Sequence, residues 1–250
     1  MADDKHTEVG VRVEGATLAY AGHVLFQDLG FELPAGRTTC LLGPSGVGKS
    51  SLIRLIAGLG SLEGGEVRAS DGRPLAGRVA WMGQRDSLLP WLSVLDNVAL
   101  GARLRGGVPD LGRARGLLGE VGLGGLEGRR PAQLSGGQRQ RTALARTLME
   151  DRPVILMDEP FSALDAITRA RLQALAARLL QDRTVLLVTH DPLEALRVGH
   201  LVRVMAGRPV VVEEVAPPRG APPRNLDDPA LLALQGDLLA RLAAADELAA

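Results

Sequence analysis

The chain has 250 residues, 46% of them apolar and 2% aromatic, and its 29 basic and 29 acidic side chains cancel. That length fits one α/β domain with a small appendage and a core filled by Leu, Val and Ala rather than by rings. Charge balance excludes a global pull toward nucleic acid or anionic lipid. The single cysteine, Cys40, excludes a disulfide framework and fits a cytosolic setting.

The opening, MADDKHTEVG, is polar and acidic, unlike a secretory signal, and no apolar run reaches the roughly 18 residues that cross a bilayer. Residues 11–33 alternate apolar and polar positions between turn signals, which predicts antiparallel strands. TTCLLG then reads as a buried strand entering a glycine loop, and KSSLIRLIAGLG as the helix leaving it. Further strands are expected at RVAWM (78–82), PVILMD (153–158) and TVLLVTH (184–190). Helical patterns are expected over 94–105, 111–121, 137–149, 166–181 and 192–198. Strands alternating with helices predict a mostly parallel sheet covered on both faces. The crowded helices around 88–150 interrupt that alternation and predict a helical subdomain. LVRVMAGRPVVVEEV reads as a closing hairpin that ends the main domain near residue 215. A Pro-rich linker over 216–225 opens with APPRGAPPR, and 226–250 reads as an amphipathic helix with Leu231, Leu234, Leu238 and Leu242 on one face.

The glycine loop GPSGVGKS runs Gly43, Pro44, Ser45, Gly46, Val47, Gly48, Lys49, Ser50, with Ser51 next. It fits G-x-x-x-x-G-K-[ST] in its required place between a strand and a helix. Its glycines let backbone N–H groups turn inward around phosphates, Lys49 reaches the β- and γ-phosphates, and the Ser50 hydroxyl suits Mg²⁺. The chain has only two lysines, Lys5 and Lys49, and uses arginine for every other cation, so a compact ammonium on a thin stem is wanted here.

VILMDEP puts two carboxylates in succession at a strand end. Neighbouring strand residues face opposite ways, so Asp158 and Glu159 serve different roles. Asp158 suits the Mg²⁺ shell and Glu159 a general base for the attacking water, against the blander reading of a solvated acidic turn. His190 ends the next apolar strand, where parallel strands bring their C-terminal ends to one sheet edge, and there it can sense the γ-phosphate. Gln84, in WMGQRD, offers a neutral amide for Mg²⁺ or the lytic water. No histidine spacing marks another metal site. LSGGQRQR, beginning at Leu134, adds a second serine and glycine helix start suited to an anion.

In that order, GPSGVGKS, Gln84, LSGGQRQR, ILMDEPFSALD and VTHD resemble the nucleotide-binding subunit of ABC transporters over roughly residues 10–215. The resemblance implies a P-loop NTPase cassette: an α/β fold with a mostly parallel sheet, an N-terminal antiparallel β subdomain and a helical subdomain. It implies an ATPase using ATP and Mg²⁺, with Glu159 as base, His190 as switch and Gln84 beside the metal. It also implies a head-to-tail homodimer in which Ser135, Gly136, Gly137 and Gln138 meet the γ-phosphate held by the partner's Lys49. Asp165 would lie at the seam of that dimer. Tyr20, the only tyrosine, matches the family's adenine-stacking aromatic, with a core tyrosine as the other reading.

SLLPWLSVLDNVALG resembles importers of the nitrate, sulfonate, taurine and hydroxymethylpyrimidine group. In these the region from Gln84 to Trp91 receives a helix of the membrane permease. Leu88, Leu89, Pro90 and Trp91 suit such a socket, or else a core patch. TLMEDRPVILMDEPFSALDAITR and THDPLEALRVGH look closest to the hydroxymethylpyrimidine (thiamine-precursor) importer ATPase. Implied with this are a periplasmic or lipid-anchored solute-binding protein, no nucleic acid, and a peripheral place on the cytoplasmic face of the inner membrane.

Overall fold

The computed structural model describes residues 8–20, 23–217 and 219–247. They fall into two units, one built from the chain through Val79, Pro153–Asp158 and Gln181 onward, the other from Ala80–Arg152 and Glu159–Leu180.

The first unit opens with β1 (Val11–Tyr20) and β2 (His23–Leu33), a hairpin completed by β4 (Gly64–Ala69) in the order β2-β1-β4, antiparallel throughout. Inward Val11, Val13 and Phe31 are buried while Arg12, Glu14 and Glu32 are exposed, the period-two pattern of a half-covered sheet. The second sheet of this unit takes β6 (Val154–Asp158), β7 (Thr184–Val188), β3 (Thr38–Leu42), β8 (Leu201–Ala206) and β9 (Val211–Val215), neighbours in that order. β6, β7, β3 and β8 are parallel and β9 returns antiparallel to β8. Every residue of β6 and β7 is buried, as expected of parallel strands covered on both faces.

Between the two sheets lies α1 (Lys49–Ile56), whose Leu52, Ile53, Leu55 and Ile56 join one core with Val11, Phe31, Leu156 and Leu186. Removing one such buried side chain to alanine costs about 2–5 kcal/mol. After β7 comes α7 (Pro192–Val198), and after the hairpin of β8 and β9 the chain reaches α8 (Pro229–Glu247). On α8, Leu231 and Leu238 are fully buried and Leu234 and Leu242 half-buried, the face that the leucine spacing marked.

The second unit begins within β5 (Val79–Met82) and packs α2 (Val94–Val98), α4 (Leu111–Glu120) and α5 (Gly136–Met149) around Val94, Val98, Leu117, Leu118 and Leu144. It also holds α6 (Ala166–Leu179). The single helix expected over 94–105 is two short ones, α2 and α3 (Leu100–Leu104), separated at Ala99 with φ −83° and ψ 1°. The buried Asn97 sits just before the break: its Nδ2 donates to the Ser93 carbonyl, which also accepts the Asn97 N–H, and the helical ladder runs on to the Ala99 N–H on the Leu95 carbonyl. No helix among the described residues is long and apolar enough to cross a membrane.

Candidate functional site

The parallel register sets one row across the first unit. Asp158 pairs with Val188, and Val188 with Leu41, so the ends of β6, β7 and β3 share one edge. From that edge leave the glycine loop, the buried Asp158 carboxylate and, two residues past β7, the exposed His190.

The glycine loop is shaped by crowding. A Cβ on Gly48, whose φ is 113°, would stand 2.8 Å from the Phe26 ring, and a Cβ on Gly43, which follows β3, would run into the Met205 carbonyl. Gly48 ends the loop as the N-cap of α1 without any side-chain cap, and the first turn of α1 carries no acidic residue. An anion at the positive end of this helix therefore meets neither a capping side chain nor a first-turn carboxylate. Lys49 Nζ donates to the carbonyls of Gly43 at 2.6 Å and Pro44 at 2.7 Å, an ammonium held across its own loop.

Ser50 Oγ donates to Asp158 Oδ2 at 2.7 Å. A hydroxyl and a carboxylate in contact are the oxygen donors that Mg²⁺ accepts from a protein when phosphates and waters complete its shell. Among the described residues no cluster of three or more His, Cys, Asp or Glu offers a fuller protein cage.

His190 follows the buried Thr189, whose N–H donates to the Leu41 carbonyl at 3.2 Å. The Thr189 hydroxyl accepts the Asp191 N–H, and Asp191 caps α7 through Leu193 and Glu194. This turn fixes where His190 stands relative to the sheet edge. Tyr20 ends β1, and its side chain lies outside the described residues.

The second unit holds the remaining predicted residues. Glu159 has φ 50°, a left-handed backbone that a non-glycine residue seldom adopts. Its carbonyl accepts Gln140 Nε2 at 2.9 Å and Ser162 Oγ at 3.1 Å, and Gln140 Oε1 accepts the Ala163 N–H at 2.9 Å. Gln140 was not singled out in the sequence. Its partners, two backbone groups and the Ser162 hydroxyl, lie about twenty positions downstream, and no spacing rule reports those.

Ser135 is the N-cap of α5 in a reciprocal capping box with Gln138: Ser135 Oγ accepts the Gln138 N–H at 3.2 Å and Gln138 Oε1 accepts the Ser135 N–H at 2.8 Å. Gly136 and Gly137 form the first turn of α5. Asp165 caps α6 by accepting the Thr168 N–H at 3.0 Å, and its hydrogen bonds from Thr168 hold its pKa below the usual carboxylate range. Gln84 is exposed in the loop after β5. Leu88 is buried, while Pro90 and Trp91 are exposed, Trp91 to 66%. Asp86, between Gln84 and Leu88, accepts Arg139 Nε at 3.0 Å, a pairing the sequence reading did not mark.

A strand, glycine loop and helix with a strand-end aspartate on the loop serine define a P-loop nucleotide-binding ATPase. The chain belongs to the ABC transporter family, whose model matches residues 26–162. It is an ATP-binding, ATP-hydrolysing cassette of that family. It is 45% identical over 237 residues to an uncharacterized ABC transporter ATP-binding protein of Haemophilus influenzae, covering 93% of this chain and 98% of that one. It is 44% identical over 240 residues to the aliphatic sulfonates import ATP-binding protein SsuB 1 of Rhodococcus jostii, covering 95% of each. Among solved structures, a dimeric ATP-binding cassette in a post-hydrolysis state with ADP and phosphate superposes with a TM-score of 0.71 at 29% identity, over 78% of this chain and 93% of that one. The P-loop cassette fold expected from the sequence, with its parallel sheet, antiparallel N-terminal sheet and helices, is the fold observed. Within the importer group the sequence resembles, the Rhodococcus relative carries the sulfonate name, and neither relative carries the hydroxymethylpyrimidine one.

Proposed function

We propose that this chain is the ATPase subunit of an importer for aliphatic sulfonates, working as a head-to-tail homodimer beneath permease subunits. The observation that carries the reading is the 44% identity to a sulfonate-import ATPase across 95% of both chains. The pairing is supported by the likeness to a cassette solved as a dimer. The two segments that resemble the hydroxymethylpyrimidine importer leave uptake of that precursor as the second reading.

In this mechanism Gly43, Ser45, Gly46, Val47, Gly48 and Ser51 wrap the phosphates of ATP with backbone N–H groups and hydroxyls, Pro44, which has no N–H, holds the turn between Gly43 and Ser45, and Tyr20 stacks on adenine. Lys49 exchanges its two loop carbonyls for β- and γ-phosphate oxygens. Ser50, Asp158 and Gln84 are the residues to hold Mg²⁺, which when bound neutralises charge building on the β- and γ-phosphates. Glu159 takes a proton from water as its oxygen attacks the γ-phosphorus and the bond to the bridging β–γ oxygen breaks, leaving ADP and phosphate. His190 holds the γ-phosphate side. Ser135, Gly136, Gly137 and Gln138 of each copy close on the nucleotide of the other, with Asp165 at the seam. ATP thereby joins the two copies, and hydrolysis removes the join.

The reading puts permease contact at Gln84 to Trp91, supported by the exposure of Trp91. It also puts the chain on the cytoplasmic face of the inner membrane, in a system with a periplasmic or lipid-anchored binding protein.

The test is uptake of a labelled alkanesulfonate in cells lacking this gene. Uptake should return with the parent chain and not with Glu159→Gln, which should bind ATP and accumulate as a closed dimer. Sulfonate uptake that never depended on the gene would refute the cargo. Glu159→Gln hydrolysing ATP near the parent rate would refute the base.

A further inference from the structure

The C-terminal helix reaches the nucleotide loop. At roughly 1.5 Å per residue, the 19 residues of α8 span about 28 Å, so its two ends serve different places. Near its start, the buried Arg224 donates to the carbonyls of Leu196 at 2.7 Å and Gly199 at 2.8 Å, closing the C-terminal end of α7. The helix then packs on α7 and β8, with Leu231, Leu238 and Ala245 buried. At its far end Asp246 lines a cavity of about 220 Å³ together with Ser45 and Gly46 of the glycine loop, Leu25 of β2, and Arg208 from the turn between β8 and β9.

We propose that Asp246 is a wall residue of the nucleotide pocket and lowers its affinity for the more highly charged nucleotide, with Arg208 acting in the opposite sense. This rests on the glycine loop being the ATP site and goes further by giving the C-terminal helix a place in it. The loop supplies N–H groups and an uncapped helix start, both attractive to phosphate. A carboxylate lining the same cavity opposes every negative charge that enters, and a triphosphate carries more than a diphosphate. The cation of Arg208 supports what Asp246 opposes. The carboxylate is exposed, so its removal disturbs no packing of α8.

The experiment is a fluorescence titration of the full chain with ATP and ADP, repeated with Asp246→Asn, Arg208→Gln and, on the same helix, the exposed Asp237→Asn. Asp246→Asn should tighten ATP about three- to tenfold in roughly 20 mM salt and ADP by less, with the gain shrinking in roughly 300 mM salt. Arg208→Gln should weaken ATP, and Asp237→Asn should match the parent. Unchanged or weaker ATP binding by Asp246→Asn, with normal parent binding and an unchanged melting temperature, overturns the proposal. Failure of the parent itself to bind ATP would instead overturn the nucleotide reading beneath it.

Discussion

Replacing Gln140 with leucine should separate holding the nucleotide from cleaving it. The Gln140 amide makes three hydrogen bonds to the segment that starts at Glu159: to the Glu159 carbonyl at 2.9 Å, to Ser162 Oγ at 3.2 Å and from the Ala163 N–H at 2.9 Å. A net 0.5–1.5 kcal/mol each gives about 1.5–4.5 kcal/mol. Ser162 and Ala163 are exposed and can turn to water, and Ser162 Oγ still reaches the Glu159 carbonyl, which brings the loss to about 2 kcal/mol. Holding Glu159 at φ 50° costs on the order of 1–3 kcal/mol, so the lost hydrogen bonds are of the size needed to keep that backbone in place. Once it relaxes, the carboxylate drifts from the place that the proposed role as base requires, and about an ångström of drift lowers a rate on the order of a hundredfold. Steady-state phosphate release should therefore show kcat down about 10- to 100-fold with KM for ATP within about threefold. Full kcat, or equal loss in kcat and ATP affinity, would refute this positioning role. Leucine keeps the buried volume close to that of glutamine, so the melt should stay cooperative and fall by no more than the roughly 4–8 °C that about 2 kcal/mol represents in a chain of this size.

Arg224→Met leaves the Leu196 and Gly199 carbonyls without their cation and removes a positive charge from the end of α7. The cost should be about 2–4 kcal/mol, read as a melting temperature lower by roughly 5–12 °C and faster hydrogen exchange in α7 and α8, and a melt within a degree of the parent would refute it. A pH effect should come from His200, whose Nδ1 accepts the Thr38 N–H at 3.1 Å and so must stay neutral. Burial, then the cations of Arg37 and Arg224, press its pKa below the ordinary value of 6.5. The unfolded chain therefore takes up this proton first, and the stability is present above about pH 6.5 and lost as pH falls toward the depressed folded value. His200→Gln should flatten the fall in melting temperature between about pH 7 and 5, and an unchanged slope would refute the assignment.

Sequence periodicity located the buried strands because covered parallel strands leave long apolar runs such as VILM and VLLV. The glycine loop was legible because its shape is written in consecutive residues. β4 was not, since GGEVRA opens on two glycines and its burial does not alternate cleanly. The break at Ala99 was hidden as well, because alanine favours the very helix that it interrupts. For the site, motif order named the loop, Asp158 and His190, all of them at the ends of neighbouring strands. What it missed depends on contacts distant in sequence: Gln140 beneath Glu159, Arg139 on Asp86, and Asp246 some two hundred positions from the loop whose cavity it shares.

The lysine bridge across the glycine loop has one more consequence. With its ammonium moored to Gly43 and Pro44, the ring of backbone keeps its opening before any guest arrives, much as a strut keeps an arch from sagging. Entry of a triphosphate is then an exchange of one set of oxygens for another around a cation already in position, and little ordering of the chain remains to oppose it.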